Sequence, residues 1–395
     1  MYCIIPIFKE PFLHPLHKDN GLSALWCQAE SAEEPFFLIQ HHPDSDKMME
    51  DYKWLNDELI MTPDKKLLNH FYKFKDVVDK NFIWWIDTGK PFENNIRNNA
   101  IDFLSNKFYN VKKLNEIIPL SKHNEYCSEV YSKMARAYVG GTDDYYMNEF
   151  TEAFGSIEKN GIKVSDDVCD IFDMRVKKHI SNGKLYSNYN LWTTTGRPSN
   201  SFGSVNFAAL PPEKRKAIVA ENDSLVEYDF DAYHLRIISY LVKYDFGKDS
   251  VHEHLAKHYG CSYEESKQRS FQLLYGGINK ETREKVPFFD LTHKLINDKW
   301  NEINKNKYIL TDIYRRRIVL ENYDDLNKSK LFNYLIQALE TELNVRKILL
   351  IQDYLLDKKT KLVLYGYDSF LFDFSKQDGV ETLKEIKRIL EVKTD

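Results

Sequence analysis

Cysteine is scarce in this 395-residue chain. Its five cysteines, Cys3, Cys27, Cys127, Cys169 and Cys261, are odd in number and scattered, with no Cys-x-x-Cys pair. That argues against a disulfide scaffold and a thiolate zinc site, and it points to a reducing cytoplasm. No apolar run approaches the ~20 residues that a membrane span needs. Residues 1–8 carry no basic segment or cleavage site of a secretory leader. The expectation is a cytoplasmic protein with no membrane association. Internal repeats and low-complexity tracts are also missing. There is no overall surplus of positive charge: the net charge is −5. Residues 1–150 hold 17 Lys+Arg against 23 Asp+Glu, and the remainder is nearly balanced. A local groove matters more than the sum, so this count neither supports nor excludes a nucleic-acid partner.

What is present is a globular composition, 43% hydrophobic and 29% charged. Residues 1–90 read as α/β, with strand-like apolar runs at 35–40 and 81–86 separated by polar, helix-like segments. Helical periodicity follows over 95–160, and Asn160-Gly161 marks a turn, giving a boundary near 145–165. Further on, residues 225–230 predict a strand leading directly into a helix over 232–243. Residues 361–366 and 370–374 predict a β-hairpin with Tyr367-Asp368-Ser369 at its tip. Long helices are expected over 262–274 and 329–356. Acidic residues at strand ends with helices inserted between the strands make an α+β arrangement.

Four constellations carry chemistry. Asp229 and Asp368 each stand in an apolar strand context, where a carboxylate is costly unless a cation or hydrogen bonds compensate. On neighbouring strands such a pair suits two Mg²⁺ ions about 4 Å apart; alone, each is also an ordinary strand-end aspartate. Lys267, Phe271 and Tyr275 follow i, i+4, i+8 spacing along one helix face, a cation and two rings suited to a nucleotide or to a plain amphipathic helix. The loop 193–201, with Arg197 among small residues, suits the approach of a phosphate backbone or minor groove. Asn333 and Gln337, two amides at i, i+4, suit base edges or solvent.

The order of these motifs is more specific than any one of them. Thr193-x-Thr195-Gly196-Arg197-x-Ser199 comes first, then Asp229-Phe230-Asp231-Ala232-Tyr233-His234-Leu235-Arg236-Ile237. Lys267-x-x-x-Phe271-x-x-x-Tyr275-Gly276, Asn333-x-x-x-Gln337 and Tyr367-Asp368 follow. Over roughly residues 150–390 this resembles the family-A DNA polymerases, the class of bacterial DNA polymerase I and many phage replicases. Their corresponding motifs read D-Y-S-Q-I-E-L-R-I, R-x-x-x-K-x-x-x-F-x-x-x-Y-G and H-D-E. Residues 157–163, Ile-Glu-Lys-Asn-Gly-Ile-Lys, are similar to a further family segment, I-E-R-N-G-V-K.

The resemblance implies a right-hand polymerase: palm at 193–245 and 310–395 with an antiparallel sheet, helical fingers at 246–309, and a thumb reduced to 146–192. It implies two Mg²⁺ ions held by Asp229, Asp368 and the Phe230 carbonyl, with Lys267 neutralising the triphosphate. Phe271 would pack on the incoming sugar and Tyr275 beside the nascent pair, while Arg197, Asn333, Gln337 and Tyr367 would face primer–template DNA. The substrates would be dNTPs, the chain a monomer of compact phage-like type, and a replication accessory protein a possible partner. Several positions depart from the family. Tyr263 stands where the finger-helix arginine belongs, leaving Arg269 as a substitute phosphate contact. His234 replaces the Glu that gates the sugar, and Ser369 replaces the last Glu. These departures keep open a single-subunit RNA polymerase or primase-like enzyme, or a catalytically weak primer–template binder.

For residues 1–145 the expectation is a degenerate exonuclease-like or accessory domain without proofreading, since neither strand-like run supplies Asp-x-Glu. Adjacent His41 and His42 point to opposite sides of an extended segment and are expected as a surface pair.

Overall fold

The computed structural model describes residues 1–10, 13–45, 52–90, 119–136, 144–165, 172, 174–200, 205–247 and 250–391. Of the expected helical stretch 95–160, residues 95–118 and 137–143 fall outside these residues, as does Cys169.

The first part is a mixed sheet of five strands: β1 (Tyr2–Phe8), β2 (Leu22–Ala29), β3 (Phe36–Ile39), β4 (Leu59–Thr62) and β5 (Asp76–Asp79). Their spatial order is β3-β2-β1-β4-β5. The β2 and β3 pairings are antiparallel, whereas β1-β4 and β4-β5 are parallel. Period-2 alternation sorts the strands onto two faces. Cys3, Ile5, Ile7, Ala24 and Trp26 pack with Tyr126, Cys127, Val130 and Met134 of a helix over Leu120–Arg136. Ile4, Leu25, Cys27 and Ile60 pack on the other side with Leu55, Leu68 and Phe74. Of the histidine pair, His41 is exposed but His42 is buried. Its ring meets His123 edge-on at 6.2 Å under the incoming helix, so the surface-pair expectation holds for one ring only.

The helices in chain order are α1 (Lys65–Leu68), α2 (Lys80–Thr88), α3 (Leu120–Arg136), α4 (Asp144–Asn160) and α5 (Met174–Lys177). The run at 81–86, expected as a strand, forms α2. Two end signals decide it: the Asp79 carboxylate caps the Asn81 and Phe82 amides, and Gly89 takes the left-handed conformation that ends a helix. Phe82, Ile83 and Trp85 then leave the sheet and enter a second core with Phe150, Phe154 and Ile157 of α4.

Short strand pairs β6 (Ile162–Lys163) with β7 (Lys184–Leu185), and β8 (Tyr189–Asn190) with β9 (Ser199–Asn200), lead through α6 (Pro212–Arg215) to a three-stranded antiparallel sheet. This sheet comprises β10 (Ser224–Asp229), β13 (Lys361–Tyr365) and β14 (Ser369–Phe374), with β14 central. Between β10 and β13 lie α7 (Tyr233–Leu241), α8 (Val251–Tyr259), α9 (Tyr263–Gly276), α10 (Lys280–Lys285), α11 (Pro287–Asn306), the pair β11 (Tyr308–Leu310) and β12 (Arg317–Val319), and α12 (Lys328–Leu355). Helix α13 (Val380–Glu391) closes the described chain.

Helix α12, 28 residues and about 42 Å long at the usual rise, joins the two large cores. Its first half packs Leu331, Leu335, Ile336 and Leu339 against α7–α11. Its second half packs Val345, Ile348 and Ile351 against α4 and the three-stranded sheet. Among the described residues no helix is long and apolar enough to cross a membrane.

A buried charge network ties α1 to α4. The Glu158 carboxylate accepts from Lys66 Nζ at 2.7 Å, lies 2.8 Å from His70 Nε2, and accepts the Tyr189 amide at 2.6 Å. Burial alone would raise its pKa, but Lys66 and His70 outweigh that and hold it at about 2. A carboxyl depressed in the folded state stabilises fully above the free-glutamate range and stops doing so as pH falls towards 2. Glu158→Ala, which strands Lys66 in the interior, is expected to cost about 3–5 kcal/mol at neutral pH. Denaturant unfolding at pH 7 and pH 3 checks this: the difference from wild type should shrink at the lower pH.

Candidate active site

The register of the three-stranded sheet brings the two aspartates together. Asp229 ends β10 opposite Ser369, and the Phe230 amide donates to the Asp368 carbonyl at 2.9 Å. The Gly366 amide donates to the Ser369 carbonyl at 2.8 Å, closing a two-residue turn over Tyr367-Asp368 in which Tyr367 has φ 74°. That left-handed residue sends the two tip side chains apart. Asp368 lines a cavity of about 540 Å³. Tyr367 and Ser369 line a second cavity of about 390 Å³ with Tyr189, Asn200, Arg215 and Glu227.

The larger cavity gathers residues far apart in the chain: Arg197, Asp229, Phe230, His234, Lys267, Phe271 and Asp368. Burial raises the Asp229 pKa, and the Asp368 charge raises it further, while Lys267 pulls it down. Two carboxylates facing one another thus repel within reach of one ammonium. Helix α9 opens with a reciprocal capping box, the Glu265 amide on Ser262 Oγ and the Ser262 amide on Glu265 Oε2. This sets the helix rotation that presents Tyr263, Lys267 and Phe271 to the cavity in one row. The side chain of Tyr275 lies outside the described residues. Arg269 is two residues from Lys267 and so about 200° round the helix. Its guanidinium sits 4.5 Å over the Tyr259 ring, and Arg269 does not line this cavity.

Arg197 is held by its loop. Thr193 Oγ1 donates to the Arg197 carbonyl at 2.8 Å, Trp85 Nε1 to the Thr193 carbonyl at 2.7 Å, and Tyr323 Oη to the Thr194 carbonyl at 3.0 Å. Gly196, at φ 81°, passes so close to α12 that a Cβ there would lie 2.8 Å from Arg316 Nη2 and 3.0 Å from the Ala338 Cβ. The guanidinium of Arg197 stacks on the Tyr367 ring at 3.9 Å and reaches Glu340. Asn333 and Gln337 bond to one another at 3.0 Å on α12 and line neither cavity.

Four residues around the site were not singled out in the sequence. Glu340, fully buried on α12, lines the larger cavity between Arg197 and His234. His252 of α8 lines it too, its ring edge-on to Tyr263 at 5.6 Å, and burial keeps its pKa below the usual histidine value. Asn344 is a buried hub: it accepts from Tyr233 Oη at 2.7 Å and donates to the Tyr367 carbonyl at 2.8 Å, locking the hairpin tip to the start of α7. Beneath the turn after β10, the Lys347 ammonium lies 4.4 Å from the centre of the Phe230 ring, and burial lowers its pKa to about 8.

The sequence matches no family model and no curated protein. In three dimensions it matches a solved structure, the POL domain of Pol1 from M. smegmatis in complex with DNA primer-template and dNTP. The TM-score is 0.68 at 13% identity, covering 98% of this chain and 91% of that one. The fold is polymerase-like. The likeness spans the sheet of the first part as well as the region that carries the motifs, since nearly the whole chain is covered.

Elsewhere, His14, His70 and Glu158 lie close enough to share an ion. The Glu158 carboxylate of this cluster is engaged by Lys66 Nζ at 2.7 Å on one oxygen and by His70 Nε2 at 2.8 Å on the other.

Proposed function

We propose that the chain is a template-directed DNA polymerase that adds dNMP to a primer 3′ end without proofreading. The layout proposed is palm at 193–245 and 310–395, fingers at 246–309, a reduced thumb at 146–192, and an accessory or degenerate exonuclease-like unit at 1–145. The observation that carries the reading is the convergence of Asp229, Lys267 and Asp368, from three distant chain segments, on one cavity. The polymerase-like fold supports it.

The donor set suits a hard divalent cation. Asp229, Asp368 and the adjacent Asp231 are oxygen donors, and burial followed by the Asp368 charge raises the Asp229 pKa, a cost that a bound cation would relieve. Asp229, Asp368 and the Phe230 carbonyl would hold two Mg²⁺ ions, which when bound supply Lewis-acid activation of the primer hydroxyl and charge neutralisation on the triphosphate. The protein groups do the rest. Lys267 and the neighbouring His252 and Tyr263 are donors for phosphate oxygens as the primer 3′-oxygen attacks the α-phosphate in line and pyrophosphate leaves. Phe271 offers an apolar wall to the sugar, and Tyr275, four residues on, is assigned to the nascent pair. Arg197, with Tyr367 under its guanidinium, faces primer–template, and Asn333 and Gln337 lie further along that side.

His234 stands where the sugar of the incoming nucleotide would pass. A filled volume there excludes a 2′-OH. His234→Ala is expected to lower dNTP over rNTP preference by about tenfold or more, read from kcat/KM for the two nucleotides on one primer–template. An unchanged ratio would remove His234 from the gate.

The direct test is primer extension with dNTPs or NTPs and Mg²⁺, alongside a mismatched labelled primer. Templated dNMP addition without 3′ trimming is the expected result. Preferential NTP use would reassign the substrate, and binding without extension would leave only a primer–template binder.

A further inference from the structure

Glu340 belongs to none of the motifs that suggested the polymerase reading, yet its carboxylate is fully buried at the wall of the larger cavity. It touches two segments at once. Oε2 lies 3.0 Å from Arg197 Nε, and Oε1 accepts from Arg197 Nη2 at 3.3 Å. The same Oε1 lies 3.4 Å from His234 Nε2. The guanidinium so held is the one that stacks on Tyr367 at the hairpin tip.

A buried carboxylate next to an open cavity is expensive, and one guanidinium suffices to compensate its charge. The contact with the imidazole is therefore additional. The carboxylate 3.4 Å from Nε2 meets the edge of the ring that is turned towards α12. Ring orientation decides how much of the cavity His234 fills. Because one oxygen serves both neighbours, movement of Arg197 when a primer end engages it is felt by His234.

We propose that Glu340 is a specificity-determining positioning residue that holds the His234 ring across the sugar site and couples it to Arg197 at the primer side. The proposal rests on the polymerase reading above and deepens it. It places the acid of the sugar gate on α12, while position 234 contributes an imidazole.

Two variants separate the roles. Glu340→Gln keeps the volume and removes the charge. Glu340→Asp keeps the charge but withdraws it by one methylene, a distance a flexible arginine follows and a helix-borne imidazole does not. With each variant, steady-state kcat/KM for a dNTP and the matching rNTP is measured on one primer–template, together with primer–template Kd and melting temperature. Glu340→Gln is expected to lose about tenfold in dNTP over rNTP preference, the size of one charge-assisted contact, and to weaken primer binding. Glu340→Asp is expected to lose preference while keeping primer affinity near wild type. In a His234→Ala background neither change should alter the preference further. Preference at the wild-type level in Glu340→Asp, or a parallel fall for both nucleotides in both variants, would overturn the proposal and leave Glu340 a structural ion-pair partner. Wild-type protein that extends no primer with either nucleotide would instead overturn the polymerase reading, and the gate with it.

Discussion

Asp229→Ala and Asp368→Ala are each expected to lower the single-turnover extension rate by about 10³-fold or more, with primer–template affinity nearly unchanged. Asp229 ends β10 and Asp368 stands in the turn just before the neighbouring β14, and both line one cavity, so neither can replace the other. A second, non-kinetic readout follows from their repulsion. The Asp229 pKa is raised in the folded state, first by burial and then by the Asp368 charge. A raised carboxyl pKa is a penalty on folding at neutral pH, relieved as pH falls and the group takes up its proton. Asp229→Asn should therefore melt a few degrees higher than wild type in metal-free buffer at pH 7, a stability cost accepted for function. Added Mg²⁺ should raise the melting temperature of the wild type and not of the variant. Near-wild-type turnover in either alanine variant would remove the pair from the reaction.

Lys267→Ala is expected to reduce kcat/KM for a dNTP by about 10²–10³-fold, because its ammonium is the one lysine charge on the larger cavity among the described residues. Arg197→Ala should act differently. Its guanidinium is shared between Glu340 and the Tyr367 ring at the side facing the second cavity, so the loss should fall on primer–template Kd and on the position of the 3′ end. Pre-steady-state kinetics at saturating DNA separates the two variants. Exchanged phenotypes would show that the row Tyr263–Lys267–Phe271 does not face the triphosphate.

The strand end at Asp229, the hairpin with Asp368 in its turn, and the helix-face spacing at Lys267 and Phe271 were legible because each is local. A period of two, a turn flanked by apolar runs, and an i, i+4 repeat are all written in consecutive residues. The run Phe82–Trp85 was misread because a short continuous apolar stretch suits a strand and a buried helix equally. Only Asp79 and Gly89 at its ends break the tie. Glu340 and Asn344 were illegible for another reason. Both sit in a helix buried nearly all round, where a polar residue has no periodic signature until its partners arrive from segments over a hundred residues away. His252 similarly looks like any helix histidine until α9 packs against α8. Asn333 and Gln337 have the expected spacing, but it serves a bond between them.

The indole of Trp85, with its hydrogen bond to the Thr193 carbonyl, limits how this chain can be dissected. It comes from the part of the sequence with no recognisable chemistry, yet it steadies the loop that bears Arg197. Asp87 and Thr88 add an ion pair to Arg317 and a bond from Asn322. A fragment starting at residue 146 would lose these tethers and bare the aromatic faces of Phe150 and Trp192 that Phe82 and Trp85 cover. The first ninety residues are thus not a detachable module. Minimal versions of this protein must be sought by trimming loops of the five-stranded sheet, not by cutting it away.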